Sequence, residues 1–144
     1  MDWSRAHRIP IQLRYSDTDM MGHINNAAYA QFLEIARLDF LDSLLGLSRA
    51  GGAREEFTVV LARLELNYRR EVRLGQVVEV LTRLVRVGSS SWTYSFQLLA
   101  DGVLSADGES VQVHIDPQSR RPAPLPRELR EAMEAALPGD LSYA

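Results

Sequence analysis

The segment AAYAQFLEIARLDFLDSLL, residues 27–45, is mostly apolar. It predicts a long α-helix from Ala27 to Leu45, since Asn25 or Asn26 can cap its first turn and Gly46 suits the left-handed residue past its end. Of its 19 residues, 13 are apolar or Tyr. A helix that is apolar around most of its circumference is buried on several sides, so the rest of the chain is expected to wrap it.

The segments on either side of this helix alternate between apolar and polar residues, which is typical of half-buried strands. Short turns join them, and no βαβ alternation occurs. The predicted elements are a strand at Ile9–Tyr15, strands at Phe57–Arg70, Val77–Val87, 92–98 and Val103–Ile115, and a short helix at Pro126–Leu137. The expected fold class is therefore α+β, with an antiparallel sheet of about five strands wrapped around one long central helix.

Two Asp-Gly pairs predict local features of this sheet. Asp101-Gly102 lies between two alternating segments and indicates a two-residue hairpin. Asp107-Gly108 lies inside the last predicted strand and suggests a β-bulge.

Length and composition limit the classes of function. The 144 residues suggest one domain spanning 1–144, and a net charge of −3 argues against nucleic-acid binding. The chain has no Cys, which excludes disulfides and thiolate chemistry. Residues 1–10 have no apolar core of a signal peptide, and no run of 18 apolar residues exists, so we expect a cytoplasmic protein with no membrane partner.

Several common catalytic motifs are missing from the sequence, including the nucleophile elbow, the dinucleotide loop, the P-loop and the zinc helix. The three histidines, His7, His23 and His114, show no spacing typical of metal ligands. We therefore expect neither a metal site nor a cofactor.

The chemically informative segment is YSDTDMMGHINNAAY, residues 15–29. It places two carboxylates, a histidine and two amides in a loop that opens the long helix. The N–H groups at a helix start can stabilise an oxyanion that develops on a carbonyl. A neighbouring carboxylate could attack that carbonyl or deprotonate a water, and His23 could assist. These are the parts of an acyl-transfer site.

A purely structural role is open for each of these residues. Short polar side chains often cap turns and helices, and those in question are Asp17, Asp19, His23, Asn25 and Asn26. Tyr29 can pack in the core. Glu34 can point into a cleft or into solvent, and Arg69 and Arg70 can form a solvated strand end.

The motif D-T-D-x-x-G-H-I-N-N-x-x-Y, residues 17–29, resembles that of the hotdog-fold acyl-CoA thioesterases of the 4-hydroxybenzoyl-CoA thioesterase family. The likeness extends over about residues 8–137. It includes RLELNYRREVRLG at 63–75, VGSSSWTY at 87–94 and RRPAPLPRELR at 120–130. The family fold is a long helix wrapped by an antiparallel sheet.

This resemblance implies roles for the loop residues. The catalytic carboxylate falls on Asp19, which acts as a nucleophile or as a base for water, and His23 assists it. Asn25 positions the loop, and the N–H that polarises the thioester carbonyl lies near Asn26. Another branch of the fold uses a carboxylate of the helix, for which Glu34 is the candidate. Asp17 and Tyr29 are secondary candidates.

The resemblance also implies a substrate, partners and two alternatives. The substrate is an acyl-CoA, or an acyl group on a carrier protein, and Arg69 or Arg70 could meet the CoA phosphates. The family forms homodimers or homotetramers with sites at subunit interfaces. The alternatives are a hotdog hydratase or dehydratase acting on acyl thioesters, and a non-catalytic acyl-CoA binding module.

Overall fold

The computed structural model describes residues 2–46 and 57–138. Their elements follow the predicted order of one strand, a helix, four strands and a second helix. The strands are β1 (His7–Ile11), β2 (Val59–Tyr68), β3 (Val78–Val87), β4 (Ser91–Ala100) and β5 (Val103–His114). The helices are α1 (Asn26–Leu45) and α2 (Arg127–Ala136), and a 3₁₀ turn forms at Tyr15–Asp17. The predicted class of α+β with a five-stranded antiparallel sheet is confirmed.

The caps of α1 follow the sequence prediction. Asn25 precedes the helix, and its side-chain oxygen accepts the N–H of Ala27 at 3.0 Å. Gly46 follows the helix in the left-handed region, with φ of 67°. The Gly46 N–H returns to the last turn of α1, where the carbonyl of Ser43 accepts it. Both ends of α1 are thus fixed by local sequence.

The five strands form one antiparallel sheet in the order β1-β3-β4-β5-β2, with β1 and β2 at its edges. The predicted hairpin joins β4 to β5, where Ala100 pairs with Val103. Asp101 and Gly102 occupy its turn with φ of 50° and 78°, as a two-residue turn between twisted strands requires.

The predicted bulge at Asp107-Gly108 is wrong. Both residues pair without interruption with β2 and with β4, and the β4–β5 register shifts at Ser105 instead. Gly108 serves a different purpose, since a Cβ atom at this position would overlap the carbonyl oxygen of Glu65 on β2. The glycine marks a close approach of two backbones rather than an extra residue.

The first strand ends earlier than predicted. β1 stops at Ile11, whereas the alternation of apolar residues continues to Tyr15. The backbone leaves the sheet because Tyr15–Asp17 turns as a 3₁₀ helix, which the Asp17 carboxylate closes by accepting the N–H of Arg14 at 2.9 Å. This turn begins the loop that leads to α1.

The core lies between α1 and one face of the sheet. Buried side chains of α1, such as Phe32 and Leu33, share this cluster with Trp92 and Phe96 of β4. Within the described residues, two apolar side chains of α1 remain partly exposed, since Ile35 and Leu38 are 40% and 41% exposed. The sheet and α2 both pack against α1, so α1 is covered on more than one side, although not around its whole circumference within the described residues.

No described helix combines the length and the apolar character that crossing a membrane requires.

Candidate active site

The loop between β1 and α1 is anchored by Asp17, whose side chain is buried. Its carboxylate accepts a hydrogen bond from the guanidinium of Arg14 (Nη2 to Oδ1, 2.9 Å). This hydrogen bond holds the pKa of Asp17 below its usual range. The carbonyl of Asp17 accepts the N–H of Asn25 at 2.7 Å, which joins the two ends of the loop. The Asp17 carboxylate is therefore engaged in positioning the loop.

One carboxylate oxygen of Asp19 stabilises a turn within the loop, and the other oxygen has no hydrogen-bond partner among the described residues. Its Oδ1 accepts the backbone N–H groups of Met21 at 2.8 Å and His23 at 3.0 Å, while its own N–H donates to the His23 carbonyl at 2.8 Å. Gly22 permits the reversal with φ of 79°. Among the described residues, none hydrogen-bonds Oδ2 of the exposed Asp19. The carboxylate is thus oriented through Oδ1, while Oδ2 keeps no hydrogen-bond partner among the described residues.

His23 contacts a carboxylate that sequence reasoning missed. Its ring Nε2 lies 3.2 Å from Oε2 of Glu71, while its tie to Asp19 runs through the backbone. The N–H of Ile24 donates to the carbonyl of Val72 at 2.7 Å, which fastens the loop to the β2–β3 connection. Only this long-range pairing places Glu71 beside His23, so the local sequence carried no sign of it.

The start of α1 faces the same space as these side chains. No described residue accepts the N–H of Asn26, whereas the next two N–H groups are bonded to Asn25. A helix N-terminus carries a partial positive charge, so a free N–H there attracts a developing oxyanion. A pocket of about 310 Å³ brings these groups together, and its lining is Asp19, His23, Ile24, Asn26, Tyr29, Tyr68, Arg69, Arg70 and Glu71.

Tyr29 forms an apolar wall of this pocket. It is buried, and desolvation raises the pKa of its hydroxyl. Its ring packs edge-on against Tyr68 at 5.1 Å between centroids, and the Tyr68 hydroxyl donates to the Asn26 carbonyl at 3.2 Å. Tyr68, also missed by sequence reasoning, connects β2 to the helix start. Glu34 does not join this group, since it is exposed farther along α1 and lines another pocket.

The two predicted phosphate-binding arginines differ in their partners. The guanidinium of Arg69 is held by Asp107, with Nε 3.2 Å from Oδ2 and Nη2 3.1 Å from Oδ1. Arg70 is exposed, and within the described chain its guanidinium has neither a salt bridge nor a hydrogen bond. Arg70 is therefore the cation at the pocket that is available to an anionic ligand.

No group of three or more His, Asp or Glu side chains in residues 2–46 and 57–138 is arranged to hold a metal ion.

The cap of α1 supplies a first test of this loop. Asn25→Ala removes the acceptor of the Ala27 N–H, and we expect it to lower the free energy of unfolding by about 1 kcal/mol. Asn26→Ala is the matched control, because the Asn26 side chain forms no hydrogen bond within the described chain. Urea unfolding of both variants checks the difference. Equal stability of the two variants would show that the cap contributes nothing.

The chain is similar to known thioesterases over most of its length. The family model of the thioesterase-like superfamily matches residues 13–133. The long-chain acyl-CoA thioesterase FadM of Escherichia coli K12 is 31% identical over 126 residues, which are 86% of this chain and 94% of that protein. The acyl-CoA thioester hydrolase YbgC of Escherichia coli O157:H7 is 26% identical over 123 residues, 85% of this chain and 91% of that protein.

A solved structure agrees with these relatives. A thioesterase from Thermus thermophilus, complexed with coenzyme A and Zn, superposes with a TM-score of 0.76 and 34% identity. The match covers 90% of this chain and 92% of that chain.

Proposed function

This chain belongs to the thioesterase-like superfamily, and we infer that it hydrolyses an acyl-CoA thioester to the free acid and CoA. One structural observation supports this activity independently of the membership in the superfamily. The open carboxylate oxygen of Asp19 and the free N–H of Asn26 belong to residues that line the same pocket. A carboxylate that activates or attacks and a hydrogen-bond donor that stabilises the oxyanion are the two groups that acyl transfer from a thioester can use.

The proposed reaction assigns one task to each group. The thioester carbonyl oxygen accepts the Asn26 N–H, which stabilises the negative charge that forms when the carbonyl is attacked. In one route Asp19 takes a proton from the attacking water, the C–S bond breaks, and this proton passes to the CoA thiolate. In the other route Asp19 attacks directly, CoA leaves, and water hydrolyses the resulting anhydride. Both routes consume one water and need the open Oδ2 of Asp19.

His23 and Glu71 form a supporting pair in this proposal. The Glu71 carboxylate fixes one nitrogen of the His23 ring, which leaves the other nitrogen to contact substrate or water. The backbone N–H of His23 also orients the Asp19 carboxylate. Asn25 holds the helix start, and Asp17 holds the loop by its contact with Arg14. Glu34 has no part in this site.

Arg70 is proposed to bind the CoA phosphates, because its guanidinium lies exposed at the pocket. We expect Arg70→Gln to raise KM for an acyl-CoA by about 3- to 10-fold and to leave kcat unchanged, since the contact is equal in ground and transition states. High salt should weaken the difference. Arg127→Gln on α2 is the control, since Arg127 lies on the surface and does not line the pocket. A change in kcat alone would contradict this role.

We further propose that residues 1–144 act as a single hotdog domain in a homodimer or homotetramer, in which α1 is the long central helix. The edge strand β2 supports assembly, since Val59, Leu61 and Tyr68 are exposed apolar side chains along an unpaired edge. A second copy on this edge would also cover more of α1. We place the protein in the cytoplasm, because a chain without Cys suits a reducing compartment.

The test is release of free thiol from a panel of short, long, branched and aromatic acyl-CoAs, with acyl-carrier protein thioesters alongside. We expect turnover of at least one member, with free acid and thiol formed in equal amounts. Binding of acyl-CoA without turnover would favour the binding-module alternative. Hydration of an enoyl-CoA without thiol release would favour the hydratase alternative.

A further inference from the structure

A second pocket, of about 320 Å³, lies between the middle of α1 and the strands β2, β4 and β5; we call it the α1–β2 pocket. Much of its lining is apolar, namely Leu38, Leu41, Phe57, Val59 and Leu61. Its polar lining residues are Glu34, Arg37, Trp92, Tyr94 and Gln112. A pocket with a largely apolar wall and a few convergent polar groups is typical of a small-molecule site.

Buried polar atoms without partners concentrate at this pocket. Within the described chain, four such atoms belong to its lining: Arg37 Nη1, Trp92 Nε1, the Tyr94 hydroxyl and Gln112 Oε1. The side chains of Trp92, Tyr94 and Gln112 are 2%, 1% and 4% exposed, so bulk solvent does not satisfy them. A buried polar group without a hydrogen bond costs free energy, and native proteins keep few of them. Trp92 also approaches the Tyr94 hydroxyl, but this contact does not reach hydrogen-bond geometry and leaves all four atoms without a full partner. Four such atoms around one cavity indicate a missing partner.

The chemistry of these four atoms defines that partner. Arg37 and Trp92 can only donate, and the Tyr94 hydroxyl can donate or accept. The amide of Gln112 donates to Ser110 Oγ at 2.6 Å, which leaves its oxygen as the one pure acceptor. Three donors, one of them a guanidinium, favour an anion with several acceptor lone pairs.

The electrostatics of the pocket favour the same partner. Burial lowers the pKa of Arg37, which shows that its positive charge is poorly solvated. An arginine nevertheless stays protonated in proteins, so a counter-ion is the available compensation. Glu34, one turn earlier on α1, raises the pKa of Arg37, but forms no salt bridge with it in the described residues. Burial also raises the pKa of Tyr94, against smaller lowering effects of a side-chain hydrogen-bond contact with Trp92 and of the charge on Arg37, so its hydroxyl remains neutral.

We propose that the α1–β2 pocket binds a carboxylate carried on an apolar body. The carboxylate accepts hydrogen bonds from Arg37, Trp92 and Tyr94, and the apolar body lies against the aliphatic wall. Arg37 follows Asn26 by 11 residues, about 16 Å along α1. The carboxylate is therefore either the far end of a long acyl chain whose thioester lies at the helix start, or a free carboxylic acid. Binding of the acid goes beyond the proposed hydrolysis and does not depend on it.

The test uses Trp92 as its probe. In a Trp3→Phe background Trp92 is the only tryptophan, so its fluorescence reports on the pocket while octanoate is titrated. We expect a saturable change with octanoate and a much weaker one with octanamide, which has the same chain without the charge. Arg37→Met keeps the stem and removes the guanidinium, and should weaken octanoate binding about tenfold or more. Glu34→Gln is the control in which the affinity for octanoate should change in the opposite direction. It removes a negative charge and should strengthen binding.

Two results would overturn the proposal: equal affinity for octanoate and octanamide, or unchanged affinity for octanoate in Arg37→Met. If Arg37→Met does not fold, Tyr94→Phe removes a single donor and must also weaken octanoate binding.

Kinetics with hexadecanedioyl-CoA and palmitoyl-CoA distinguish the two sources of the carboxylate, which are the far end of an acyl chain and a free carboxylic acid. A preference for the dicarboxylic chain that Arg37→Met abolishes identifies the acyl end, whereas octanoate binding without that preference identifies a free acid. The titration remains decisive even if no thioester is hydrolysed.

Discussion

Asp19→Asn is expected to lower kcat for acyl-CoA hydrolysis by about 10²-fold or more while the protein stays folded. The asparagine amide keeps an oxygen at the position of Oδ1, so the N–H groups of Met21 and His23 retain their acceptor. What the substitution removes is the negative charge and the open oxygen Oδ2. The loss is therefore expected in kcat, because both proposed routes use this oxygen in the reaction itself.

A second substitution at the same position separates chemistry from loop structure. Asp19→Ala removes the acceptor as well as the charge, so we expect it to lose stability in addition to activity. Thiol release and urea unfolding of both variants, with their oligomeric state, measure the two effects. Turnover that survives in Asp19→Asn would refute the assignment. The carboxylates to examine next are then Glu71, which lies at the same pocket, and Glu34, which lies at the other.

The parts of this fold that the sequence predicts are those that local chemistry determines. The cap at Asn25, the left-handed Gly46 and the turn at Asp101-Gly102 each depend on a few adjacent residues. The order of elements follows from apolar periodicity in the same way. Asp107-Gly108 shows the limit of such reasoning. A glycine inside a strand is compatible with a bulge or with a close backbone approach, and only the paired strand β2 distinguishes them.

The residues of the candidate site also differ in whether local sequence predicts them. The loop motif predicts Asp19, His23 and Asn26 as candidates, because they are close in sequence and their chemistry is recognisable, and the structure brings all three to one pocket. Glu71 and Tyr68 reach the pocket only through pairings with distant segments, so no local pattern indicates them. Sequence also gives Arg69 and Arg70 equal weight. The structure distinguishes them through Asp107, which lies 38 residues away from Arg69 in the chain.

Gly108→Ala is expected to lower the free energy of unfolding by about 3 kcal/mol and Tm by roughly 10 °C. The new Cβ would overlap the Glu65 carbonyl oxygen, lie 2.9 Å from its carbon, and lie 3.3 Å from Cα of Leu66. These are backbone atoms, so no side chain can rotate away. Strand β2 must then move from β5. The matched control is Gly88→Ala, whose Cβ meets the Ser91 hydroxyl at 3.0 Å and should cost less than about 1 kcal/mol.

This substitution should also reduce activity, although Gly108 lies outside the pocket. Leu66 pairs with Gly108, and Tyr68 follows two residues later on the same strand. A displaced β2 would weaken the hydrogen bond from the Tyr68 hydroxyl to the Asn26 carbonyl, and so disturb the helix start that is proposed to bind the thioester oxygen. We therefore expect kcat/KM of Gly108→Ala to fall at temperatures where the variant is fully folded. Wild-type activity at reduced Tm would instead show that β2 relaxes without moving the site.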